Sequence, residues 1–336
     1  LAANAGVDMD MQGAVFQRYL KESIAAGLVS EKQVDEAVRR ILRIKFELGL
    51  FKDPYKFSDA QREKAVVFAP AHLQAAREIA RKSIVLLKNE DKVLPIANGK
   101  KIALVGPLVA DRNNLIGEWR ASGEGEKSVS VLDAFQERAV RDGFTFTHAK
   151  GCEITGDVTT GFEEALRNAQ TADIIIAVVG EKWNMSGEAK ARADISLPGM
   201  QEQLIKELVA TGKPVVVVLM NGRPLTIPWI AEHATAVVEA WLPGTMGGLA
   251  VADVLFGDYN PSAKLTMTFP RHVGQVPIFY NEKNTGRPFD PNNGYTSRYL
   301  DMPNTPQYPF GYGLSYTTFT YDSMMVARKD YSFSDT

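Results

Sequence analysis

The residues best placed to do chemistry fall in two glycine-rich loops, each following a run of apolar, β-branched residues. One loop holds Ile116-Gly117-Glu118-Trp119-Arg120-Ala121-Ser122-Gly123-Glu124-Gly125, and the other holds Glu181, Trp183, Asn184, Ser186-Gly187-Glu188, Arg192 and Asp194. Gly123, Gly125, Lys127 and Ser128 invite comparison with a phosphate cradle, but that motif needs four residues between its first glycine and Gly-Lys-Ser/Thr. Here Glu126 precedes the lysine, and the carboxylates among the glycines would repel phosphate. Trp119 reads as a partly buried residue of a flexible surface loop, or more sharply as an apolar face for stacking on a sugar.

The second loop gathers three carboxylates in a short span: Glu181, Glu188 and Asp194. The four histidines (His72, His148, His233 and His272) are scattered along the chain, so no metal site is read here, and no nucleophile-elbow motif supports a serine triad. By spacing alone Glu188 is a solvated loop carboxylate, and Arg192 with Asp194 reads as an ion pair bracing the loop. Asp8 and Asp10 precede a helix whose N-terminus favours negative charge. Cys152 is the only cysteine, which excludes an intrachain disulfide and a multi-thiolate metal site, and it reads as inert.

The elements that position these loops come from the hydrophobic pattern. Helical spacing runs from Ala14 to Ala26, ending at Gly27, and Ser30 with Gln33 opens a second helix through a capping box. A polar, turn-rich connector follows, and helix resumes from Pro70 to Leu86. Then come Ile102–Val105, Phe144–Thr147, Ile174–Val179, Val215–Leu219 and Ala236–Ala240, with helical stretches near 131–141, 161–170, 200–211 and 246–255. Continuous apolar strands alternating with amphipathic helices predict an α/β fold, with a mostly parallel sheet covered on both faces. Beyond Gly257 the chain is turn-rich, and Thr317–Tyr321 reads as strand-like.

The chain has 336 residues, 38 Lys plus Arg against 40 Asp plus Glu, and 45% hydrophobic residues. That composition fits a folded globular chain, and the near-neutral balance gives no case for nucleic acid or an anionic membrane surface as partner. Its apolar runs are too short to span a bilayer. The absence of an initial methionine or a leader, and the stop soon after Thr317, suggest a piece of a longer protein.

Taken together in order, several segments resemble glycoside hydrolase family 3 β-glucosidases over nearly the whole chain. They are Ala5-Gly6-Val7-Asp8-Met9, Leu48-Gly49-Leu50-Phe51 with Asp53-Pro54-Tyr55, and Ser83-Ile84-Val85-Leu86-Leu87-Lys88-Asn89. Val179-Gly180-Glu181, Ser186-Gly187-Glu188 with Arg192 and Asp194, Asn260-Pro261-Ser262 and Phe310-Gly311-Tyr312-Gly313-Leu314-Ser315-Tyr316 complete the series. The resemblance implies that 1–55 end a (β/α)₈ barrel, 56–97 form a linker and docking helix, 98–316 form an α/β sandwich domain, and 317–336 begin a fibronectin-like β-sandwich.

It also implies retaining hydrolysis of β-glucosides such as cello-oligosaccharides, without a cofactor or metal. Glu188 maps to the acid/base, Glu181 to a loop brace, and Trp119 to stacking on the leaving-group side. The attacking aspartate and most sugar-ring contacts would belong to barrel sequence before Leu1, so residues 1–336 alone would be inactive. A homodimer is a candidate assembly. Ala189-Lys190-Ala191-Arg192-Ala193-Asp194 stands where many members have Glu-Gly-x-Asp-Arg, which resembles the bacterial periplasmic subgroup and implies a periplasmic or secreted location. The alternatives are a β-xylosidase of the same family and a non-catalytic sugar- or nucleotide-binding α/β module.

Overall fold

The computed structural model describes residues 1–283, 286–325, 330 and 332, and the chain divides into two compact units, Leu1–Ala69 and Pro70–Thr336. In the first, α1 (Val15–Ala25), α2 (Glu31–Glu47) and α3 (Ala60–Val66) are joined by turns. The capping box forms as expected: the Ser30 N–H donates to Gln33 Oε1 at 2.9 Å and the Gln33 N–H to Ser30 Oγ at 3.3 Å. Asp10 accepts from the N–H groups of Val15 and Phe16 at the start of α1, and these bonds hold its carboxyl below the usual range. Asp8 instead takes a forked pair of bonds from Arg40, so only Asp10 serves the helix end. Helix α3 lies inside the stretch read as connector; the Asp59 carboxylate starts it by accepting from Gln61 and Arg62 N–H.

The second unit opens with α4 (Pro70–Ser83), three residues shorter than the sequence pattern predicts. Ile84, Leu86 and Leu87 are almost completely buried, and Val85–Asn89 forms strand β1, paired antiparallel with β6 (Ala236–Glu239). A four-residue apolar run with no Gly or Pro before it continues a helical pattern in sequence, but burial on both faces makes it a strand. The sheet has six strands in the order β1-β6-β5-β4-β2-β3, with β2 (Ile102–Val105), β3 (Phe146–Ala149), β4 (Ile174–Gly180), β5 (Val215–Met220) and β6 all parallel. Strand β3 starts two residues later than expected because α5 (Val131–Asp142) ends at Gly143, and Phe144 packs against Phe135 and Phe256.

Alternate residues of each strand feed two cores. Ile102, Leu104, Ile174, Ile176 and Val178 meet α4, α5 and α9 (Gly247–Leu255), while Ala103, Val105, Ile175, Ala177 and Val179 meet α6 (Phe162–Thr171), α7 (Gln201–Ala210) and the short α8 (Pro228–His233). The edge of β1 is covered by the returning chain, whose Leu314 N–H donates to Leu86 O at 2.8 Å. Thr317–Tyr321, read as strand-like, is exposed and forms no strand; 326–329, 331 and 333–336 of the expected third-domain start lie outside the described residues.

The connections determine where a site can form. From β2 the chain moves to β3 on one side, and from β4 it moves to β5 on the other. The loops leaving the carboxyl ends of these adjacent strands therefore diverge, and such a switch point is where parallel α/β sheets place their ligand crevices. Those are the loops of Trp119 and Glu188.

Candidate active site

Glu181 follows directly on β4 and is 1% exposed. Its Oε1 pairs with Arg192 at 2.6 Å and with Arg223 Nε at 3.2 Å, and its Oε2 accepts from the Gly222 N–H at 3.3 Å. With its oxygens committed and water excluded, this carboxylate cannot reach a ligand. It braces the loop. Arg192 thus serves Glu181 rather than Asp194, which accepts from the Ser196 N–H and hydroxyl and is held below the usual carboxylate range by those bonds. Removing one partner of such a buried pair costs about 3–5 kcal/mol.

Glu188 behaves oppositely. It is exposed, and its carboxylate makes no hydrogen bond or ion pair among the described residues. Yet the backbone beneath it is held on several sides. Gly187 has φ +129°, and a Cβ there would lie 2.8 Å from Glu118 Cγ, so the two loops touch backbone to side chain at the residue before Glu188. Two further ties join them: the Trp183 N–H donates to Asn114 Oδ1 at 2.6 Å, and the Arg120 guanidinium lies 4.4 Å from the Trp183 ring centre. Trp119 is 74% exposed, not partly buried as expected, because Glu118 takes the inward place at this contact. One oxygen of Glu118 is itself buried with no hydrogen-bond partner among the described residues. The far end of the loop is held by buried Gln201, whose amide brackets both the N–H and the C=O of Gly180 at 2.8 Å and reaches Pro198 O at 3.0 Å.

A third loop, absent from the sequence reading, completes the arrangement. Asn221-Gly222-Arg223-Pro224 follows β5, and its turn chemistry immediately after a continuous apolar strand was the available signal. Gly222 leaves no room for a Cβ, which would fall 1.9 Å from Ser186 Oγ, so this loop supports the Glu188 turn from below. Asn221 donates to Glu239 Oε2 at 3.1 Å, and the Trp241 N–H donates to its Oε1 at 2.8 Å. Complete burial raises the Glu239 carboxyl well above its ordinary range, and the nearby charge of Glu181 adds to the rise. Cys152 is also buried, and desolvation pushes its thiol up to about 11, which suits an inert residue.

Residues 84–316 match the family model described as the glycosyl hydrolase family 3 C-terminal domain. The chain belongs to glycoside hydrolase family 3. It is 44% identical to a periplasmic β-glucosidase of Salmonella typhimurium, covering 97% of this chain and 46% of that protein. A β-xylosidase of Formosa agariphila is 40% identical, over 96% of this chain and 45% of its own length. Among solved structures, the β-glucosidase of Listeria innocua in complex with glucose superposes with a TM-score of 0.85 at 41% identity, covering 94% of this chain and 43% of that one. The chain thus spans less than half the length of these family 3 relatives. The mostly parallel six-stranded sheet is that of the family's C-terminal domain.

Proposed function

We propose that this chain supplies the acid/base half of a retaining β-glucosidase that removes terminal non-reducing β-D-glucosyl residues. The observation that carries the reading is an exposed carboxylate, Glu188, on a backbone turn held by two other loops at the switch point of the sheet. Glu188 protonates the departing glycosidic oxygen while a carboxylate of an N-terminal barrel domain attacks the anomeric carbon. It then takes a proton from the water that hydrolyses the glycosyl-enzyme. The attacking carboxylate and most contacts to the glucose ring are assigned to that barrel, of which residues 1–55 form the end. A further β-sandwich after the α/β domain is part of the same proposal. Trp119, exposed beside Gly187, offers its ring to the sugar on the leaving-group side. The relative named periplasmic supports a periplasmic or secreted location. A β-xylosidase reading has its own support in the 40% identity to a protein of that name, and rates on nitrophenyl glucoside and nitrophenyl xyloside separate the two.

The test compares cellobiose with dinitrophenyl β-glucoside in the enzyme joined to its barrel. Glu188→Ala is expected to lower kcat/KM on cellobiose by about 10²–10⁴-fold, because a sugar alkoxide needs a proton to leave, and to spare the dinitrophenyl substrate. Trp119→Ala is expected to weaken cellobiose use more than aryl-glucoside use. Equal losses of Glu188→Ala on both substrates would overturn the assignment.

A further inference from the structure

We propose that Arg223 is a positioning residue for Glu188, a latch that closes the turn on which the acid/base stands. The proposal rests on the reading of Glu188 given above. The turn from Met185 to Lys190 holds Ser186-Gly187-Glu188-Ala189, with positive φ at both Gly187 and Ala189 (129° and 56°). Nothing inside it bonds the Glu188 side chain among the described residues. One nitrogen of Arg223, Nη2, donates to both ends: to the Met185 carbonyl, and to the Lys190 carbonyl at 2.8 Å. The guanidinium therefore ties the entrance and exit of the turn to one point.

That point is itself fixed. Arg223 Nε lies 3.2 Å from Glu181 Oε1, and Glu181 is anchored at the end of β4 and held by Arg192 from the other side. The backbone next to Arg223 is fixed as well: the Asn221 amide donates to the Arg223 carbonyl at 2.8 Å, and Gly222 packs directly on Ser186. Sheet, buried carboxylate, guanidinium and turn thus form one connected chain. Ala189, a non-glycine at positive φ, holds a conformation that only its surroundings can impose, and the two carbonyl bonds of Arg223 supply that constraint. A lysine at this position would end near the guanidinium carbon, close enough to face Glu181 but one bond short of the two carbonyls.

The experiment uses Arg223→Lys and Arg223→Met in the enzyme joined to its barrel, with Glu188→Ala alongside. Arg223→Lys keeps the charge facing Glu181, so it decides the matter if Arg223→Met fails to fold. The expected result is a loss of about tenfold to a hundredfold in kcat/KM on cellobiose, the scale of an ångström-level misplacement. The loss on dinitrophenyl β-glucoside is below about threefold, and amide hydrogen exchange is faster within 185–190. A loss of general stability would depress both substrates alike, so equal losses, or none, overturn the latch. If Glu188→Ala shows the selective loss and Arg223→Lys does not, the latch alone is wrong. If Glu188→Ala itself shows no selectivity, the acid/base assignment fails and takes the latch with it.

Discussion

Glu239 is a carboxyl group at the end of a central strand with no contact with water. Its two bonds, from Asn221 and Trp241, do not offset the cost of burying charge, so the folded protein holds the proton to higher pH than the unfolded chain does. Below the ordinary glutamate range both states carry the proton, and its contribution to stability is complete. As pH rises above that range the unfolded chain releases the proton and the folded protein keeps it, so stability falls until the folded group also ionises. The slope reaches at most about 1.4 kcal/mol per pH unit for one group. Glu239→Gln, which keeps the shape and removes the titration, is therefore expected to flatten the decline in melting temperature between about pH 5 and 8. Parallel melting curves for the two proteins across that range would show that Glu239 does not carry this term.

The chain diverges after β2 and β4, and the two loops that leave these strands meet at Gly187 and Glu118. Gly187→Ala is expected to cost about 1–3 kcal/mol in backbone strain. It also pushes Glu118 away from the turn and lowers kcat/KM by about tenfold to a hundredfold. Gly143→Ala is the control: that glycine has φ +72° but no neighbour within 4 Å of the added Cβ, so it keeps kcat/KM while losing stability. Equal kcat/KM for the two variants would remove the loop contact from the account. Strands β4 and β5 were the most legible because Ile174–Val179 and Val215–Leu219 are apolar without interruption, as burial on both faces requires. Strand β1 was not, since Ile84-Val85-Leu86-Leu87 runs on from a helix with no breaking residue, and its antiparallel partner Ala236–Glu239 lies far along the chain. The Glu188 segment was visible through its likeness to a family. The support beneath it was not, because Arg223 meets Met185 across 38 residues and Gln201 meets Ile154 across 47.

Of the carboxylates that follow the central strands, two are hidden and one is held out. Glu181 and Glu239 are buried beneath the loops, and Glu188 faces solvent. Retaining hydrolysis needs two carboxyl groups about 5–5.5 Å apart, and this chain spans less than half the length of its relatives. In the proposed reading, dividing the two roles between domains would give each carboxylate its own environment, one suited to holding a proton and the other to staying ionised. In this proposal Glu188 both gives the proton in the first step and takes one in the second. The most direct measurement is the product formed by Glu188→Ala, in the enzyme joined to its barrel, from dinitrophenyl β-glucoside with added azide. The glycosyl-enzyme is expected to accumulate without azide, azide to restore turnover because it needs no base, and the product to be β-glucosyl azide by proton NMR of its anomeric centre. Turnover that azide leaves unchanged, or an azide product of α configuration, would contradict the proposal.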